Sequence, residues 1–235
     1  MVQGPKRTAF SGPALVRLLA QFADLDVFEP APSLADRLSQ WLGWTDAIAL
    51  STALASDPPA VSGARSAGRS MEHMEKECAR VRASLGGAFA REEAAARRRH
   101  RAPAQPLADE APADYADFRQ RYLSLQQAMD ADIGALRGRL RATLAATSPD
   151  MARLAVVDAV MEQALSARER SLLANVPVLL GKHFERLRSA HATSETPAPN
   201  AWLDVFRRDQ QSVLLAELDV RFQPIEGLLA ALRLR

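Results

Sequence analysis

A single cysteine, Cys78, stands in a chain of 235 residues. No internal disulfide can form, and a four-cysteine zinc site is excluded. Such a chain suits a reducing compartment. Lysine is nearly as scarce: Lys6, Lys76 and Lys182 are the only three, so almost all the positive charge is arginine, which pairs bidentately with carboxylates and phosphates. Net charge is still only +2, although the pI is near 9.0.

Long apolar runs are missing as well. Stretches such as Val176 to Leu180 fall far short of the roughly 20 residues needed to span a bilayer. Lys6 and Arg7 near the start are followed by the Gly12-Pro13 break, without the apolar segment and cleavage site of a secretory signal. A cytoplasmic protein is expected. The sequence also lacks a phosphate-cradling glycine loop, a His-Glu-x-x-His pair and a nucleophile elbow. No catalytic, cofactor-binding or metal-binding residue is assigned, and a non-enzymatic protein is expected.

What the chain does contain is helical periodicity, in an ordinary globular composition of 48% hydrophobic and 25% charged residues. Met71, Met74, Cys78, Val81, Leu85 and Phe89 recur at spacings of three and four, which places them on one side of an α-helix. Tyr115, Phe118, Tyr122, Leu125, Met129, Ile133, Leu136, Leu140 and Leu144 repeat the pattern beyond a proline-rich break. Two long helices folded into a hairpin follow from this. Their step of about 3.6 residues favours a globular bundle over a supercoiled rod.

The fold class expected is all-α: a small N-terminal helical unit, then a bundle of long antiparallel helices. Residues 1–56 are assigned to the first unit, 57–69 to a Pro/Gly/Ser-rich linker and 70–235 to the bundle. In the bundle the hairpin covers 70–146, followed by helices over 149–191 and 200–235. Within the first unit Thr45 is a potential cap, and Trp41 and Trp44 are assigned to the core. Gly86-Gly87 predicts a kink in the first long helix. Ser148-Pro149-Asp150 is a strong helix start, Pro177 should bend or restart its helix with Asn175 as cap, Asn200 should cap the last helix, and Pro224 should kink it.

Few residues suggest binding. Arg97, Arg98, Arg99, His100 and Arg101 form the sharpest charge run, at a helix C-terminus where cations complement the macrodipole. Asp109, Glu110, Asp114 and Asp117 lie across the expected hairpin turn, so the two runs should largely neutralise each other; the alternative is phosphate binding by the arginines. Trp41-Leu42-Gly43-Trp44 could be the turn of a DNA-reading helix pair. The helix after it, Asp46 to Leu54, carries no Arg, Lys, Asn or Gln for base edges, which argues against that role. An exposed Trp44 would instead indicate docking. His73 with Glu77 makes at most two ligands, too few for a metal site. His183, on an apolar stripe, is read as a hydrogen-bonded core histidine, and Asp130 with Asp132 as a wet helical face.

The run from Arg37 to Ser51, with Trp41-Leu42-Gly43-Trp44-Thr45-Asp46 within it, resembles a stretch in an uncharacterised family of helical bacterial proteins. Arg119-Gln120-Arg121-Tyr122 and the run from Asp158 to Arg170 are similar to the same family. The resemblance brings no established activity and no functional residue. It implies genes placed beside membrane proteins of the MotA/MotB and OmpA types, and hence an accessory role near an envelope complex. The function expected is an adaptor or assembly protein that binds a helix-rich partner, or forms a homodimer, through apolar helical surface. Nucleic-acid binding through Arg97, Arg98, Arg99 and Arg101 is the alternative.

Overall fold

The computed structural model describes residues 13–23, 34–56, 67–101, 113–193 and 200–234. Among these the protein is all-α, with eight helices and no strand. Three are short: α1 (Ala14–Ala23), α2 (Leu34–Trp41) and α3 (Trp44–Ala55). Five are longer: α4 (Ala67–Arg101), α5 (Tyr115–Ala145), α6 (Pro149–Leu173), α7 (Val176–Ala192) and α8 (Ala201–Arg233).

The helix ends follow from side-chain chemistry. Asp114 opens α5 by accepting from the Ala116 amide at 3.0 Å. Ser148 opens α6 by accepting from the Met151 amide at 3.3 Å, with Pro149 in the first turn where a missing N–H costs nothing. At α3 the cap differs from expectation. Thr45 lies inside the helix, and the Gly43 amide donates instead to Asp46 Oδ2 at 3.0 Å. Between α6 and α7 the chain restarts at Pro177, as its lost amide requires. Asn175 sits at that junction without capping α7; its side-chain amide donates back to the Ser171 and Leu172 carbonyls, closing the end of α6. Asn200 also makes no side-chain cap and takes the left-handed conformation, φ 61°, which asparagine tolerates better than most residues.

Helix α8 is the centre of the molecule. Fourteen of its side chains are buried, against α4, α5, α7 and α1, and it runs through Pro224 without ending. The hairpin of α4 and α5 packs on it as the stripes require, with Met74, Cys78, Leu85, Phe89, Tyr122, Met129, Leu136, Leu140 and Leu144 all buried. Burial pushes the Cys78 thiol up from its ordinary value, and the neighbouring Glu77 charge adds to this.

The short helices are placed differently from the small bundle expected for 1–56. Helix α1 makes its main contacts with α7 and α8, and α3 with α6. Leu15 and Phe22 of α1 join the same core cluster as Phe184, Phe206 and Phe222. An α1 of ten residues buries too little apolar area to hold partners of its own, so it docks where a larger surface is on offer. Phe22 stacks on the His183 ring at 4.2 Å, His183 Nε2 meets Asp209 Oδ2 at 2.7 Å, and Arg186 donates to the Phe22 carbonyl.

Helix α4 runs unbroken through Gly86-Gly87, so the lower propensity there does not end it. A methyl group at Gly86 would meet no atom within 4 Å. Gly86→Ala should therefore raise stability by about 1 kcal/mol, read from the urea midpoint, since it removes backbone freedom from the unfolded chain alone. Gly181 is the opposite case. A Cβ there would come within 2.8 Å of the Tyr115 ring, which is anchored by its hydroxyl donating to the Pro177 carbonyl.

Candidate functional site

Two features stand out beyond the packed core: a buried polar network between α5 and α8, and a groove that opens beside it. Glu217 of α8 is fully buried. Its carboxylate accepts from the Tyr122 hydroxyl at 2.7 Å, from the Gln126 amide at 3.0 Å and from Arg221 Nε at 2.9 Å. Gln126 also donates to the Leu173 carbonyl at 3.3 Å, which ties the end of α6 to the network. Arg221 donates onward to Asp130 and lies 3.7 Å from Glu169. The helical repeat explains the assembly. Tyr122 and Gln126 are four residues apart on α5, Glu217 and Arg221 four apart on α8, so each pair projects from one face toward the other.

Burial, the Glu217 charge and the hydrogen bond to it all push the Tyr122 hydroxyl far above its ordinary value. Burial likewise raises Tyr115, to about 12, against the opposing charge of Arg119. These are the only two tyrosines in the chain. Unfolded tyrosines release protons near pH 10, so the unfolded state binds fewer protons than the folded one above that pH. The stability both tyrosines contribute is therefore complete below about pH 10; that of Tyr115 is lost as pH rises through about 12, and that of Tyr122 only at still higher pH. An ultraviolet titration should show no tyrosinate step near pH 10 in the native protein. Both should ionise together when alkali unfolds the chain, and a normal step in native protein would contradict the burial described.

The groove, of about 730 Å³, lies between α5, α6 and α8, with Trp41 at its edge. Ile133, Leu165, Leu172, Val220 and Pro224 contribute its apolar lining, and Arg137, Arg141, Glu162, Glu169 and Arg221 its charged lining. Arg137 grips Asp158 with two nitrogens, at 2.9 and 2.6 Å, and Arg141 bridges Asp158 at 3.2 Å and Glu162. Burial opposes the Arg137 charge, but the hydrogen bonds and charge of Asp158 outweigh it and hold the guanidinium above its ordinary value. These pairs clamp α5 to α6 and form one rigid wall. Arg168 lies over the Trp41 ring at 5.8 Å, so the groove joins two of the three stretches that carried the family resemblance.

The residues singled out from sequence fall in separate places. Trp44 is 81% exposed, not core as assigned, while Trp41 is half-buried. The reason is geometric: Asp46, Leu50 and Ala53 form the side of α3 turned to the body, and Trp44 and Ile48 project from the other. Arg98 is exposed on α4. The side chains of Arg97, Arg99, His100 and Arg101, together with Asp109 and Glu110, lie outside the described residues; across the turn, Asp114 and Asp117 are exposed. His73 stands 4.0 Å from Glu77, whose carboxylate pairs with Arg139 at 2.8 Å. No group of three metal-ligating side chains occurs among the described residues, and none of their helices is long and apolar enough to cross a membrane.

Sequence reasoning missed Glu217, Arg221 and Gln126, because charged and amide residues break an apolar stripe. The spacing of Glu217 and Arg221 amid Val213, Leu214, Leu218 and Phe222 was the available signal.

Fold and groove together define an all-α bundle built around one buried central helix, with an open polar groove on its flank. The chain belongs to the family described as protein of unknown function DUF3348, whose model matches residues 1–234. No curated protein and no solved structure matches it.

Proposed function

We propose that this protein is a non-enzymatic adaptor or assembly factor that binds a helix-rich protein through the layer formed by α3 and α6. One observation carries the reading. Of the nine large apolar side chains left exposed among the described residues, five belong to these two helices: Trp44, Ile48, Leu54, Val156 and Leu172. Helix α6 buries only Ala152, Ala155 and Leu173 of its 25 residues, and α3 only Ala53. Helix α3 runs antiparallel along α6, Arg153 reaching the Ser56 carbonyl at 3.4 Å near one end and Arg168 covering Trp41 near the other. Leu172 lines the groove itself, and the other four stand on α6 and on α3, which packs against α6. A partner helix would bury them and set polar groups against the Arg137–Glu162 wall.

The partner this reading favours is a component of a bacterial envelope complex, met from the cytoplasmic side; a second copy of the chain would use the same face. Trp44→Ser with Ile48→Ser tests it. Both positions are exposed, so stability should change by no more than about 0.5 kcal/mol. Capture of a helix-rich protein from the native cell, or self-association in sedimentation, should be lost. Unchanged capture would refute the reading. Recovery of nucleic acid alone, released steeply as salt rises, would favour phosphate binding by the arginine-rich end of α4 instead.

A further inference from the structure

Helices α6 and α8 both lean on α5, and the groove is the space left between them. Its volume of about 730 Å³ falls within the roughly 300–1,000 Å³ usual for small-molecule sites. Much of its lining is apolar and open: Leu165, Val220 and Pro224 are half-buried, and Leu172 is 48% exposed. Gly134 lines the groove in the middle of α5, where a glycine lowers helix propensity, yet a Cβ there would meet no atom within 4 Å. Packing does not require this glycine; a larger side chain would take up groove space instead.

The charges of the lining are unbalanced, with five arginines against three carboxylates. Asp130 and Glu169 face Arg221, and Glu162 faces Arg141. Arg137 and Arg221 line the groove, whereas Asp158 and Glu217, which also pair with them, do not, so the groove surface carries the guanidinium and the carboxylate lies behind it. Arg168 and Arg170 are exposed and have no carboxylate partner among the described residues; the Arg168 guanidinium lies over the Trp41 ring.

We propose that the groove binds an anionic amphiphile of the fatty-acid type, its hydrocarbon chain along Ile133, Gly134, Leu165 and Val220 and its carboxylate where Arg168 and Arg170 line the space. The chain would cover apolar surface that now faces water. A single negative charge suits the surplus of arginine, whereas a phosphate dianion would meet stronger repulsion from the three fixed carboxylates. A cationic amphiphile would be set against the guanidinium surface. The site is separate from the outer face of α3, since neither Trp44 nor Ile48 lines the groove.

Calorimetric titration of the full-length protein with laurate and with dodecyltrimethylammonium, each below its micelle concentration, tests the site. Laurate should saturate at one molecule per chain, and the cation should bind about tenfold more weakly. Gly134→Leu should weaken laurate about tenfold by filling the groove, with the circular dichroism spectrum unchanged. Arg168→Gln with Arg170→Gln should weaken it about fivefold; only exposed side chains change, so this variant carries the reading should Gly134→Leu not fold. Trp44→Ser with Ile48→Ser should bind laurate as the native protein does, which keeps this result distinct from loss of partner capture. Phosphatidylglycerol vesicles present the same chemistry in a bilayer: co-sedimentation abolished by Gly134→Leu would assign the groove to a lipid chain, and no co-sedimentation to a free acid. The proposal falls if laurate does not saturate, if the cation binds equally well, or if a folded Gly134→Leu or the double arginine variant leaves laurate binding unchanged.

Discussion

Glu217→Ala is expected to lower the unfolding free energy by about 3–5 kcal/mol, the cost of leaving a buried cation without its closest counter-ion. Three donors converge on the Glu217 carboxylate, and Arg221, 8% exposed, would keep only Asp130 and the more distant Glu169, both partly in water. The Tyr122 hydroxyl and the Gln126 amide would lose an acceptor at the same time, each adding desolvation with no hydrogen bond in return. Urea unfolding followed by circular dichroism measures the loss. Glu217→Leu with Arg221→Met should recover much of it, because removing both charges leaves no unpaired ion in the interior. A loss below about 1 kcal/mol for the single variant would show that water reaches the network after all.

Phe206→Ala should be as damaging, at about 3–5 kcal/mol, for an apolar reason. Phe206 is fully buried, and its ring lies 5.2 Å from Phe118, 5.0 Å from Phe184 and 6.2 Å from Tyr115, edge-on to all three. These rings come from α5, α7 and α8, so the truncation would leave a void where three helices meet and cannot easily close it. Phe206→Leu should retain more than half of the stability lost in the alanine variant, since most of the volume stays filled. Thermal melts of the two variants, run beside Gly86→Ala, would rank a core void against a helix-propensity gain in one protein.

Much of this fold was legible. The two stripes that predicted the α4–α5 hairpin supply its buried side, with Met71, Val81, Tyr115 and Leu125 partly buried against the core, and Ser148-Pro149 marks the start of α6 as read. Pro177 restarts the chain, as a missing amide demands. Helix α4 continues through Gly86-Gly87 as the long helix read there, because packing along it outweighs the roughly 1 kcal/mol of helix propensity each glycine lacks. Trp44 misled. Its size argues for the core, but among the described residues α3 packs mainly on α6 and so buries one face, and Trp44 lies on the other.

The candidate sites were less legible than the helices. Glu217, Arg221, Tyr122 and Gln126 come from two helices some 90 residues apart in sequence, and their meeting depends on the register between α5 and α8. Arg207 reads as an ordinary surface arginine until α4 and α5 close over it.

An amino-acid order with oily residues once per turn committed this chain to helices and to most of their ends, because backbone hydrogen bonding and capping act within a few residues. The partner of each helix, the burial of Glu217 and Arg207 and the exposure of Trp44 were settled by packing. Those outcomes depend on distances between segments far apart along the chain, which local periodicity does not encode.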